Sequence, residues 1–171
     1  MTGLIQRVWL WTAGPYDPAR PGLPIGELCH PASLMGIVLL ALNDHLLKGL
    51  PWVPGLVAGK LSDFAGLLFF PLLLTSGWNT LRLGIGRLLR STAGPRLQRS
   101  QLVVALVVSG AVFAPLQLSQ SWADLYVRVC ASLGFGAAPT PDPTDLVALI
   151  MLFPAWRIGL AELARQGRGG G

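Results

Sequence analysis

Three short stretches of this chain place carboxylates beside groups that bind cations or move protons. They are Asn43-Asp44-His45, Lys60-Leu61-Ser62-Asp63 and Asp142-Pro143-Thr144-Asp145. Carboxylate oxygens with an imidazole nitrogen make a donor set for a divalent metal, and a single carboxylate in the same setting could act as a base. The second and third stretches are alike. Each reads Ser/Thr-Asp, runs on into apolar residues (Phe64 to Leu74, Leu146 to Phe153), and meets a proline about two and a half turns later at Pro71 or Pro154. Asp44, His45, Lys60, Asp63 and Asp145 are therefore the candidate catalytic residues. Whether they hold a metal is left open by their types. No HExxH, GxSxG or Walker pattern accompanies them, so no named reaction and no cofactor is implied.

Simpler roles exist for the same residues. Ser62-Asp63 and Thr144-Asp145 are good helix starts, with a hydroxyl to accept from a free amide and an acid in the first turn where the helix dipole favours it. Asp44 and Lys48 are spaced i, i+4 and can neutralise each other. His45 can be a hydrogen-bonded interfacial residue.

The elements that must position these residues follow from composition. The 171 residues suit one domain, are 52% hydrophobic and only 12% charged, against about 25% charged in soluble domains. That shortage of charge makes lipid part of the solvent. It also excludes disorder. The net charge of +5 comes with no nucleic-acid motif, so no nucleic-acid partner is expected. The fold class expected is all-α, an integral membrane four-helix bundle built as two similar helical hairpins. Its spans are about 31–50, 61–78, 101–118 and 144–160, the last being the shortest. Residues 1–30 are a cytoplasmic segment with an interfacial helix at Leu4 to Trp11 that sets Trp9 and Trp11 at headgroup level. A second interfacial helix is expected over Ser121 to Leu133. Ser62 and Gly66 form a small-xxx-small pair for helix packing, Pro71 kinks span two, and the Gly-rich stretch 164–171 is a disordered tail.

Arginine sets the orientation. The segment 79–100 holds Arg82, Arg87, Arg90, Arg96 and Arg99 with no acid, so it should be a cytoplasmic loop, with both termini on the same side. Trp52, Trp78, Trp122 and Trp156 fall at the expected span ends, as an aromatic belt requires. This topology gathers Asn43, Asp44, His45, Lys60, Ser62, Asp63, Gln117, Gln120, Asp124, Asp142, Thr144 and Asp145 at the outer ends of the spans. It leaves almost no polar residue in their cytoplasmic halves, which counts against a transport path. Cys29 and Cys130 fall on opposite sides, so no disulfide joins them.

The stretch from Gly59 to Leu67, with Asn43-Asp44-His45 before it and Asp142 to Leu146 after it, resembles a group of small, uncharacterised bacterial multi-pass membrane proteins over roughly residues 30 to 154. That resemblance supplies no activity. A lysine and an aspartate opening one span, and a further aspartate opening the last, are also similar to the VanZ-like family, small membrane proteins linked to glycopeptide resistance and the cell envelope. The matching positions are Lys60, Asp63 and Asp145. That family has a histidine soon after an Asp-Lys pair; here the order is Lys-x-x-Asp and positions 64 to 67 are Phe-Ala-Gly-Leu.

The function expected is that of a multi-pass protein of the bacterial inner membrane whose outer polar cluster binds a lipid headgroup, a small ligand or a partner. The alternatives are an enzyme acting on a lipid-linked or envelope substrate, and a small oligomeric transporter or channel. The expected partners are membrane lipids and a second copy or another membrane protein.

Overall fold

A computed structural model describes residues 3–14, 23–46, 55–90, 95–136 and 139–168, with the side-chain surroundings of all of these except 44 and 55–58. Among the described residues the protein is helical and contains no strand. In chain order the elements are α1 (Gly3–Ala13), α2 (Pro31–His45), α3 (Gly55–Leu88), α4 (Arg99–Leu118), α5 (Gln120–Ser132), a 3₁₀ helix η1 (Pro143–Met151) and α6 (Leu152–Arg168), which continues η1 without a break.

Local chemistry sets several of these boundaries. His30 is the N-cap of α2, its Nδ1 accepting from Ala32 N at 3.2 Å, and Pro31 fills the first turn, where its missing N–H costs nothing. Gln101 Oε1 reaches back to Gln98 N at 3.0 Å to open α4. Asp142 Oδ1 accepts from Thr144 N at 2.9 Å and opens η1, with Pro143 behind it.

Among the described residues three stretches are long and apolar enough to cross a membrane: Gly59–Leu88, Arg99–Leu118, and η1 with α6, Pro143–Arg168. The expected fourth, 31–50, is not among them. Its helix α2 ends at His45 after 15 residues, about 22 Å at 1.5 Å per residue against a hydrocarbon core of about 30 Å. Residues 47–50 lie outside the described part. The shortest expected span, 144–160, is instead carried by a 26-residue stretch.

The core lies where α3, α4 and α6 meet. Leu68 and Leu72 of α3, Leu102 of α4, and Ala155 and Ile158 of α6 are buried together. Gly159 is what lets α6 approach α4: a Cβ there would overlap the side chain of Leu102. In lipid such close fit, rather than exclusion of water, holds helices together.

Other expectations are corrected. α3 runs for 34 residues past Trp78 to Leu88, with Pro71 inside it, so about half of the expected 79–100 loop is helix. Leu83 there is buried, which extends the packed face past Trp78. Trp78 and Trp156 thus lie inside helices rather than at their ends, and Trp52 lies outside the described residues. α6 runs to Arg168 where a tail was expected from 164, because Arg165 and Gln166 bond to Glu162 on the preceding turn. Within α1, Trp11 is 85% exposed but Trp9 is 4% exposed. Trp9 turns inward because its Nε1 donates to Gly26 O at 2.8 Å and its ring stands edge-on to His30.

Candidate functional site

α3 begins at Gly55, eight residues before Asp63, which places Ser62 and Asp63 in its third turn rather than at its start. They do not cap the helix. At that depth Ser62 Oγ accepts from Asn43 Nδ2 of α2 at 2.7 Å, and Asp63 Oδ2 accepts from Gln117 Nε2 at the end of α4 at 3.3 Å. The same Gln117 accepts from Asp142 N through its Oε1 at 3.3 Å. Lys60, one turn before Asp63, donates to Thr144 Oγ1 at 2.6 Å and to Asp145 Oδ1, and lies 3.9 Å from Asp142 Oδ2. The α3, α4 and η1 groups thus form one polar network that includes the Lys60 ammonium, and the α2 to α3 bond of Asn43 and Ser62 lies beside it.

Asp142 is also the N-cap of η1, and the Thr144 hydroxyl and amide bonded to it hold its carboxyl below the usual carboxylate range. Of the five candidates, Lys60, Asp63 and Asp145 come together here. His45 is exposed at the end of α2 and lies apart from these bonds, and the side chain of Asp44 lies outside the described residues. Among the described residues no three His, Cys, Asp or Glu side chains gather to hold a metal ion.

Asp63 has a second setting. With Ser62 it lines an open groove of about 280 Å³ between α3 and α4, together with Gly66, Phe70, Ser109 and Phe113, and with Tyr126 of α5. Gly66 does not pack against a helix, as its spacing from Ser62 suggested. A Cβ built there meets nothing within 4 Å, so the glycine faces the open groove.

The other end of the bundle carries a polar cluster that the motifs did not flag. Glu27 and Glu162 are each 1% exposed. Arg165 donates from Nε and Nη2 to the two oxygens of Glu162 at 2.7 and 2.8 Å, and from Nη1 to Gly14 O at 2.8 Å. Gln166 donates to Glu162 Oε1 at 2.7 Å and accepts from Leu97 N at 3.1 Å, so the carboxylate ties α6 to the start of α4. The Arg165 guanidinium also stands 5.7 Å from the ring centre of Trp9. A Cβ at Gly26 would overlap this ion pair, so only glycine lets the 23–30 segment lie on it. Glu27 accepts from Thr75 Oγ1 at 2.8 Å and its backbone oxygen accepts from Ser33 Oγ. Burial pushes the Glu27 carboxyl up to about 6, against the opposing pull of its hydrogen bonds. Burial also holds His30 below its ordinary range, in keeping with an Nδ1 that accepts a hydrogen bond.

No protein-family model, curated protein or solved structure matches this chain.

The cytoplasmic half of the expected bundle is thus not apolar inside, and the argument against a transport path drawn from its emptiness falls. A signal existed in the sequence. Thr75, Ser76 and Asn79 recur at helical spacing inside an apolar stretch, and Glu162-x-x-Arg165 is an i, i+3 pair in the last helix.

Proposed function

We propose that this chain is a multi-pass protein of the bacterial inner membrane that holds an amphiphile, its headgroup at Lys60, Asp63 and Asp145 and its tail in the groove beside Gly66. The observation that carries this reading is the double position of Asp63, which belongs both to the polar network and to the lining of the apolar groove. A headgroup held there would lie one turn of α3 from the tail, the spacing of an amphiphile's two parts.

The charge around the headgroup position favours a cationic group. Among the described residues, the carboxylates of Asp142 and Asp145 both meet the one ammonium of Lys60. An amine-bearing lipid adds a positive charge beside this pair of acids, and its phosphate has Lys60 to meet. The four-span arrangement, with α2 as the first span, and a place beside the VanZ-like proteins are parts of the same proposal. The positions that carry that likeness, Lys60, Asp63 and Asp145, are the headgroup residues of this reading.

The test is native mass spectrometry of the full chain released from membranes, with phosphatidylethanolamine and phosphatidylglycerol vesicles as added probes. Retention of the amine lipid by the wild type, and its loss in Asp63→Asn and in Gly66→Leu, is the expected result. A charge-assisted bond of about 1.5 to 3 kcal/mol corresponds to binding weakened by about ten- to a hundredfold in Asp63→Asn. Equal retention by the wild type and both variants would refute the reading.

A further inference from the structure

We infer that Glu27, Ser76 and Asn79 form an internal hydrated proton-binding site at the end of the bundle opposite Lys60 and Asp63. The first observation is an unmatched side chain. Asn79 is fully buried, and neither its Oδ1 nor its Nδ2 has a hydrogen-bond partner among the described residues. Ser76, one turn earlier and equally buried, makes no hydrogen bond of normal geometry among them, and its hydroxyl lies toward the Glu27 carboxyl, whose ionised form it favours. Buried polar atoms are costly unless bonded, most of all within a bilayer. Asn79 offers a donor and an acceptor together. Water satisfies both, whereas a metal cation would meet Oδ1 and repel the amide hydrogens. Thr75, Ser76 and Asn79 share one face of α3 at spacings of three and four, so water at Asn79 continues the line of hydroxyls that ends on the Glu27 carboxylate.

The second observation is charge. Among the described residues, two buried carboxylates, Glu27 and Glu162, have one guanidinium near them, and Arg165 is forked onto Glu162. No described cation bonds Glu27, whose side-chain partners are the neutral hydroxyls of Thr75 and Ser76. A second charge there is in excess, and a proton on Glu27 removes it. Among the described residues the other titratable group that interacts with that carboxylate is Cys29 on its own segment, whose thiol burial keeps neutral. Burial holds the carboxyl near 6, so the proton exchanges close to neutral pH.

Infrared difference titration of the full chain in nanodiscs tests this, scanned two units either side of that value. A protonated-carboxyl band that disappears with a midpoint near 6 is expected, and it should be absent from Glu27→Gln. Thr75→Val removes a bond to the ionised form and should move the midpoint upward; this variant decides the assignment if Glu27→Gln does not fold. Bands of internal water, identified by their shift in ¹⁸O water, should be lost in Asn79→Leu. A carboxyl band that survives in Glu27→Gln, no titrating band at all, or no movement in Thr75→Val would overturn the proton site. Water bands unchanged in Asn79→Leu would overturn the hydration. A midpoint that differs between sodium and potassium salts would overturn the assignment in favour of a metal-cation site.

Discussion

The two ends of this bundle solve the same problem, polar groups in an apolar chain, in opposite ways. At the Lys60 end the groups come from short motifs, cluster around one ammonium, and stay partly open: Lys60 and Asp145 side chains are 29% and 12% exposed. At the Glu27 end they come from scattered positions in the 23–30 segment, α3 and α6 and are closed in, with Glu162 at 1%. The ends are far apart. Sixteen residues of α3 separate Asp63 from Asn79, about 24 Å at 1.5 Å per residue, not far short of the thickness of a hydrocarbon core. The difference teaches that visible motif density follows accessibility. An open cluster needs charge to meet a ligand, while a closed one needs satisfied bonds, and satisfaction is drawn from wherever the fold brings partners.

The largest effect should come from the closed end. Glu162→Ala would leave Arg165, half-buried, with its forked partner gone, and Gln166 without the oxygen that orients it toward Leu97. Breaking a buried pair from one side costs about 3 to 5 kcal/mol. Thermal unfolding in nanodiscs should show a large fall in midpoint. A fall no greater than that of a surface substitution would erase the contrast between the two ends.

Next in size is a dependence on pH that only the closed end should produce. The folded protein keeps a proton on Glu27 over the interval from 4.5 to about 6, where the unfolded chain has released it. Stability is therefore fully present below 4.5 and declines as pH rises through about 6. The gap is worth about 2 kcal/mol at about 1.36 kcal/mol per pH unit. Subtracting the profile of Glu27→Gln from that of the wild type isolates the effect. A flat difference would mean that the Glu27 carboxyl is not held up by burial.

Asp145→Asn at the open end should cost less than either. Lys60 keeps Thr144 and Asp142, and solvent screens what remains. The residual loss should shrink further as salt is raised, which unfolding at two ionic strengths would reveal. A salt-insensitive loss as large as that of Glu162→Ala would place the Lys60 network inside the core and end the distinction.

How far the sequence could be read divides along the same line. Helical class and the gathering of Lys60, Asp63, Gln117, Asp142 and Asp145 were legible, because parity of the helices puts their ends together whatever their detailed lengths. Lengths were less legible. Trp78 looks like an end, yet α3 passes it, since the buried face that includes Leu68 and Leu72 continues to Leu83, and the helix carries Pro71 with its missing backbone bond. Ser62 and Asp63 looked like caps because local propensity is all a single chain displays; only the start of α3 at Gly55 removes that role. Glu27 lay in a proline-rich stretch that carries no periodicity, so nothing tied it to Thr75, 48 residues on.

The smallest effect sharpens the comparison most, because it separates stability from binding at the open end. Glycine inside a helix costs about 0.5 to 1 kcal/mol relative to alanine. Gly66 sits in the interior of α3, and a Cβ there would meet nothing within 4 Å, so neither helix packing nor backbone conformation accounts for it. Gly66→Ala should therefore leave the unfolding midpoint unchanged or raise it slightly. Gly66→Leu fills the groove beside Asp63 without touching the polar network, so it should spare stability and abolish lipid retention. Together these outcomes would mean that the groove is kept open at a small cost in helix stability, which a purely structural cluster would not require. If both variants unfold early, the groove closes against another part of the molecule, and the open end is no more open than the other.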